Sequence, residues 1–156
     1  MARFTTLIVF AGICGLAAGA WADTPATKPA YDAELAKKLG ADDYGMRNYV
    51  LVLLKTGPTP VPKGEKRTEM FKGHFANIRR LADEGKLVAA GPFDGVDGWR
   101  GMFIFAVKEI DEAKALTATD PVIQSGEMIA EYHKLYSSAA LMLINETHGK
   151  LAKEKM

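Results

Sequence analysis

Cysteine is nearly absent from this chain of 156 residues. The single cysteine, Cys14, lies in an apolar stretch close to the first residue. If that stretch is cleaved off, the mature protein has no disulfide bond, no thiol nucleophile and no thiolate ligand for a metal. The function classes that depend on cysteine chemistry are therefore excluded for the mature chain.

An excess of charge of one sign is lacking as well, since 20 Lys and Arg residues face 19 Asp and Glu residues. A chain so close to neutral has no surplus of positive charge for binding nucleic acid or an anionic membrane surface. The three histidines, His74, His133 and His148, do not have the spacing of metal ligands. No phosphate-binding or haem-attachment motif is present. We therefore expect no nucleic-acid partner, no metal and no cofactor.

No apolar run is long enough to span a membrane. Residues 7–18 are apolar and follow the positive charge of Arg3, but a spanning helix needs about 20 such residues. Residues 20–22, Ala-Trp-Ala, fit the small-x-small cleavage rule, so the pattern predicts a secretory signal peptide cut after Ala22. The mature protein is then a secreted, periplasmic protein without a stable membrane anchor. A retained anchor or a lipid attached to Cys14 is the alternative.

The chain that remains is long enough for one domain with a hydrophobic core. A short helix is predicted before Gly40, at residues 31–39, and a C-terminal helix at residues 139–145. We divide the sequence into a signal peptide at residues 1–22 and a leader with the short helix at residues 23–46. A folded domain follows at residues 47–137, and a C-terminal helix with a charged tail at residues 138–156.

The periodicity of apolar residues predicts the elements of the folded domain. In chain order they are a strand at residues 48–54, a helix at 67–84, and two strands at 87–93 and 101–107. A second helix at 111–118, a helical turn at 120–126 and a last strand at 128–136 follow. The βαββαβ order predicts an α+β, ferredoxin-like fold with an antiparallel sheet and helices on one face. The first and third strands are the most apolar and should lie in the centre of the sheet.

The first strand is apolar on both of its faces. Leu51 and Leu53 alternate with Val50, Val52 and Leu54, whereas a sheet face that meets water normally alternates apolar with polar residues. Because the helices can cover only one face, the other face needs a second sheet, most simply from an identical subunit. We therefore expect a homodimer in which the two sheets pack face to face.

Several segments of the sequence, taken together, indicate a protein family more specifically than any one of them does alone. They are residues 49–58, Gly73-His74, residues 85–93 and 112–116, Thr119-Asp120-Pro121 and Gly126. The set resembles the YCII-related family of the dimeric α/β-barrel superfamily, over about residues 47–136. The resemblance implies a dimeric α/β barrel. It also implies enzymatic function at a histidine and an aspartate, which match His74 and Asp120 in this sequence.

The chain departs from the pattern of the family in two places. Many members carry an aspartate just after the first strand, where this chain has Lys55-Thr56-Gly57-Pro58. One acid of a transferred mechanism is therefore missing. Near the end of the last strand, related sequences often read His-Pro-Trp-Tyr, whereas His133 is followed here by Lys134-Leu135-Tyr136. The rim of a pocket at this end would differ accordingly.

His74 and Asp120 are the candidate catalytic residues. Histidine exchanges a proton near neutral pH, which suits a general acid or base. His74 also lies on the apolar stripe of its helix, where packing is the alternative role. Asp120 could orient a histidine or accept a proton, and its place before Pro121 is typical of a helix N-cap. The two roles of Asp120 can hold together.

Glu131, His133, Gly91 and Arg100 are further candidates for the pocket. Glu131 and His133 are two residues apart on the last strand, so they share a face and can form an acid–base pair. Whether that face looks into a barrel or into solvent stays open. Gly91 allows close approach to the backbone, and Arg100 either binds an anionic substrate or extends into solvent.

These patterns favour an exported small-molecule enzyme of lyase or isomerase type that uses histidine acid–base chemistry. The alternative is a non-catalytic dimer that binds a small apolar or aromatic ligand in the periplasm. A structural subunit of an envelope complex is a third interpretation, which draws only on the apolar residues 139–145.

Overall fold

The computed structural model of the chain describes residues 29–154. The predicted signal peptide and its cleavage site lie outside the described residues. Helices and strands follow one another as α1 Ala33–Leu39, β1 Met46–Thr56, α2 Glu65–Asp83, β2 Leu87–Pro92, β3 Trp99–Phe105, α3 Ile110–Thr117, α4 Pro121–Gln124, β4 Met128–Ser138 and α5 Ile144–Leu151. Two 3-10 turns, Val96–Gly98 and Ala139–Leu143, precede β3 and α5.

The four strands form one antiparallel sheet in the order β2-β3-β1-β4. This is the strand order of a ferredoxin-like βαββαβ unit, so the predicted α+β fold is confirmed. The two most apolar strands, β1 and β3, occupy the centre as expected. The register pairs Leu51 with Ile104 on one side and with His133 on the other.

The hydrophobic core lies between the sheet and the helices α2 and α3. Val50, Val52 and Leu54 point from β1 into this core and are almost fully buried. The buried residues of α2 recur at intervals of three or four, as a helix with one covered face requires. Each fully buried Val, Leu or Phe side chain contributes about 1.5–3 kcal/mol to folding. Burial of these side chains therefore stabilises the packing of the helices against one face of the sheet.

The observed bounds differ from the predicted ones by one or two residues in most elements, and two of the differences have a local cause. The third strand was expected at residues 101–107, but β3 begins at Trp99 because Gly98, in the left-handed region at φ +78°, ends the preceding turn. The C-terminal helix was expected at residues 139–145. Instead, the Ser138 hydroxyl accepts the N–H of Ala140 and a 3-10 turn forms first, so α5 begins at Ile144 and continues to Leu151.

The sheet face opposite α2 and α3 is covered at one end only, and we call it the open face. At that end Tyr49 is fully buried, and its hydroxyl donates to the carbonyl of Ser138 at 3.0 Å. Further along, the Asn145 amide donates to the Leu87 carbonyl at 2.8 Å, which ties α5 to β2. The rest of the open face is half-buried and centres on four apolar side chains, Leu51, Leu53, Met102 and Ile104.

In residues 29–154, every helix is too short or too polar to cross a membrane. The described chain from Asp32 onward forms one compact unit.

Candidate functional site

The structure brings His74 and Asp120 together in the interior. His74 Nδ1 lies 2.8 Å from Asp120 Oδ2 and 3.0 Å from Asp120 Oδ1. Asp120 has no exposed surface, and His74 is 7 % exposed. An ionised carboxylate can only accept hydrogen bonds, so Nδ1 donates and the other ring nitrogen, Nε2, remains for a ligand. A histidine held in this way has the orientation that a general acid or base requires.

Asp120 is at the same time the N-cap of α4. Its Oδ1 accepts the N–H of Val122 at 3.1 Å, and Pro121 occupies the first position of the helix. The cap fixes the carboxylate, and the carboxylate in turn fixes the imidazole ring. The capping role and the orienting role therefore coexist in this residue.

A glycine lets α4 approach α2 closely enough for this pair to form. Gly73 directly precedes His74, and a Cβ atom at this position would lie 2.9 Å from Pro121 Cγ. Real Cβ atoms essentially never approach another heavy atom so closely, so any larger residue at this position would push α4 away. The Gly73-His74 dipeptide thus supplies both the histidine and the space for its partner.

His74 opens into a cavity of about 440 Å³ between α2 and the sheet. Its ring packs against three aromatic rings, with centroids 5.9 Å from Phe71, 5.4 Å from Phe75 and 6.1 Å from Phe103. Gly91 and Arg100 line the same cavity at the ends of β2 and β3. The cavity is therefore an apolar, aromatic chamber with two polar side chains, His74 and Arg100, of which only Arg100 is permanently charged.

A buried carboxylate that the sequence did not single out stands behind Arg100. Glu127 is 1 % exposed and lies 2.7 Å from the guanidinium of Arg67 and 3.4 Å from that of Arg100. Its second oxygen accepts the backbone N–H of Val61 at 2.7 Å. Burial raises the pKa of this carboxyl, but the hydrogen bonds from Val61 and Arg67 outweigh burial and leave the pKa below its ordinary value. Glu127 is therefore an anion that fixes two arginines.

Glu131 and His133 lie on the open face and not in the cavity. They share one face of β4, as their spacing predicts, and His133 Nε2 is 2.9 Å from Glu131 Oε1. Lys55 Nζ lies 2.7 Å from Glu131 Oε2. The hydrogen bonds from Lys55 and His133 lower the pKa of Glu131. All three side chains are about one-third to one-half exposed, so the sheet separates this group from the His74–Asp120 pair.

Metal ligands are not grouped in the part of the chain that the structure describes. No set of three or more His, Cys, Asp or Glu side chains lies close enough there to hold an ion.

Comparison with known proteins gives a family and two relatives of known sequence. The model of the YCII-related domain family matches residues 48–133. The protein YciI of Escherichia coli is 34% identical over 70 residues, which are 40% of this chain and 71% of that protein. The protein of the same name from Shigella flexneri matches to the same extent.

Among solved structures, the chain is similar to a dehydrochlorinase from Burkholderia phenoliruptrix. That enzyme acts on 5-chloro-2-hydroxyhydroquinone and was solved with 2,5-dihydroxybenzoquinone bound. The similarity has a TM-score of 0.40 at 20% sequence identity, and it covers 55% of this chain and 90% of the other.

Proposed function

The chain belongs to the YCII-related family, and from that premise we propose that it is a small-molecule enzyme of lyase or isomerase type. The observation that carries the proposal is the buried His74–Asp120 pair, whose imidazole lines an apolar cavity. The pair combines an imidazole ring of fixed orientation with an adjoining space in which a ligand can lie. The pair is the arrangement that proton transfer to and from a bound molecule requires.

In the proposed reaction, His74 Nε2 removes a proton from the substrate and the ring becomes an imidazolium. Asp120 stabilises that cation through Nδ1 and does not itself take up the proton. In an isomerisation, the imidazolium returns the proton to a second atom of the same molecule. In an elimination, the electron pair left behind forms a double bond as the neighbouring leaving group departs. Three aromatic rings pack around His74, so a bound ring would lie against apolar surface during both steps.

Exchange of His74 for asparagine tests this function. A small panel of hydroxylated aromatic compounds and lactones is offered to the wild type, and conversion is followed by the absorbance of each compound. We expect the wild type to convert at least one of them. His74→Asn should lower the turnover number by about 100-fold or more, the usual contribution of a general acid or base. Circular dichroism should show that the variant is folded.

His133→Asn is the matched control, because it removes a histidine from the open face by the same exchange. Its turnover number should stay close to that of the wild type. Full activity of His74→Asn, or an equal loss in both variants, would contradict the proposal.

A non-catalytic binding protein is the second candidate function. Its support is the absence of an acid at the end of β1, where Lys55 instead pairs with Glu131 on the open face. Apart from Asp120 behind the histidine ring, the described residues around the cavity supply no carboxylate to a second proton-transfer step. A compound that binds His74→Asn as tightly as wild type, and that neither protein converts, would favour this function.

We also propose that two copies of the chain associate through the open face. The apolar group Leu51, Leu53, Met102 and Ile104 is half-buried at the centre of a sheet, and a second sheet would remove it from water. Light scattering at micromolar concentration should give the mass of two copies. Leu53→Glu should give the mass of one, because it places a charge in the centre of the contact.

Leu151→Glu is the control for the dimer, because Leu151 is an exposed leucine of α5 and does not belong to the apolar group. This variant should remain dimeric. A monomeric wild type at the same concentration would exclude the association.

A further inference from the structure

We propose that Arg100 selects ligands with an anionic group and turns the opposite end of the ligand toward His74. The ligand class assigned to the cavity is a single-ring aromatic carboxylate or a compound with equivalent charge and shape. This inference rests on the cavity as the ligand site of the proposed function, but it does not depend on any reaction taking place there.

The first argument is a surplus of positive charge beside the cavity. Glu127 provides one negative charge for two guanidinium groups, those of Arg67 and Arg100. The Arg67 contact is short at 2.7 Å, whereas the Arg100 contact is long at 3.4 Å. With Val61 holding its other oxygen, Glu127 is satisfied largely without Arg100. One positive charge is therefore left over at the cavity wall.

The second argument is the position of the Arg100 guanidinium. Its side chain lines the cavity and retains 26% of its surface. Within residues 29–154, the contact with Glu127 is the only hydrogen bond it makes. Arginine offers several N–H groups in one plane, a geometry that matches a carboxylate. Glu127 holds the group in place, and its remaining donors are available to a ligand.

The third argument concerns the other pole of the cavity. Asp120 lies fully buried behind the His74 ring, with its carboxylate in contact with Nδ1, so this end of the cavity has no surplus of positive charge. An anionic group is therefore attracted to Arg100 and is not attracted to the histidine. The two poles orient an anionic ligand in one direction only.

The fourth argument is the shape of the space between the two poles. A volume of about 440 Å³ lies at the smaller end of the range for small-molecule sites. Phe71, Phe75 and Phe103 surround it, and aromatic walls favour a planar ring through stacked or edge-on contacts. One ring with a carboxylate at the Arg100 end satisfies both the walls and the charge.

The test compares benzoate with benzamide, which have nearly the same shape but differ in charge, by NMR titration at neutral pH and low ionic strength. Wild type should bind benzoate about tenfold more tightly than benzamide, since a charge-assisted hydrogen bond contributes that much. Arg100→Gln should bind both compounds with similar affinity, close to that of the wild type for benzamide. Arg79→Gln, an arginine of α2 that does not line the cavity, should keep the wild-type preference.

Arg100→Lys provides a second variant in case the glutamine variant does not fold. Lysine keeps the charge but lacks the planar guanidinium group. The ratio of the affinity for benzoate to that for benzamide should therefore be smaller than in the wild type but larger than one. The inference is wrong if the wild type binds both compounds equally or binds neither. It is also wrong if a folded Arg100→Gln keeps the preference.

His74→Asn separates this inference from the proposed function. That variant should lose turnover and keep the preference for benzoate, because the histidine does not hold the anionic group. A wild type that prefers benzoate but converts no member of the panel would support Arg100 as a recognition residue and count against catalysis. Turnover without any preference for benzoate would support catalysis and count against Arg100 as a recognition residue.

Discussion

Replacing Glu127 with glutamine is expected to lower the free energy of unfolding by about 3 kcal/mol, the lower end of the range for removing one partner of a buried ion pair. Glu127 is 1% exposed and faces two arginines. Glutamine would leave both guanidinium groups without their counter-charge. The value falls at the lower end because Arg67 and Arg100 each retain about a quarter of their surface and can turn toward water. Urea unfolding followed by circular dichroism measures the change.

Glu84→Gln is the matched control, because Glu84 is also a carboxylate in an ion pair with an arginine, Arg80, on the side of the sheet away from the open face. Its side chain is 45% exposed, and exposed ion pairs contribute little to stability. The unfolding midpoint of this variant should hardly change. Equal destabilisation by the two exchanges would show that burial does not distinguish the two carboxylates.

The same cluster predicts a dependence on pH. The folded state lowers the pKa of Glu127, so its ionised form contributes stability that is fully present above the unfolded-state pKa. That stability is lost as the pH falls through the lower, folded-state pKa. The difference in stability between wild type and Glu127→Gln should therefore be largest near neutral pH and shrink on acidification. A difference that stays constant into the acid range would contradict this account.

Gly57→Ala is expected to cost about 3 kcal/mol, the upper end of the range for overpacking in a fixed environment. A Cβ atom at Gly57 would overlap the carbonyl oxygen of Gly126 and lie 2.9 Å from its carbon. The two loops cannot easily separate. The N–H of Gly57 donates to Glu127 O at 2.8 Å, and the N–H of Thr59 donates to Gly126 O at 3.1 Å. Urea unfolding measures this loss too.

Gly91→Ala is the control for Gly57→Ala. A Cβ atom at Gly91 would meet nothing within 4 Å, and its backbone is not in the left-handed region. Stability should change little, by about 0.5 kcal/mol or less, as for most substitutions that create no clash. If Gly57→Ala were as stable as Gly91→Ala, the approach of the two loops would have to be looser than the structure shows.

The strand and helix order could be predicted because each element carries its own local pattern. β1 is apolar on both faces, which identified it as a central strand, and the stripe on α2 placed His74 on the covered side. The Asp120-Pro121 dipeptide indicated a helix start by itself. Each of these signals is confined to a short segment of the chain, so it can be detected in a single sequence.

The rest of the site depends on contacts between distant residues, which no local pattern reports. His74 and Asp120 are 46 residues apart, and Val61 and Glu127 are 66 apart. The alternation of β4 showed that Glu131 and His133 share a face, but alternation is identical for both faces of a sheet. Only the register with β1 shows that this is the open face.

The covered end of the open face has a consequence for how the chain is made. Tyr49 belongs to a central strand, yet the carbonyl that its hydroxyl binds belongs to Ser138, 89 residues later. A ribosome delivers the tyrosine long before the segment that buries it, so this ring stays in water while the rest of the sheet is synthesised. Closing so long a loop is entropically costly and slow. The newborn protein therefore completes the covered end of the open face only after synthesis has passed the last strand.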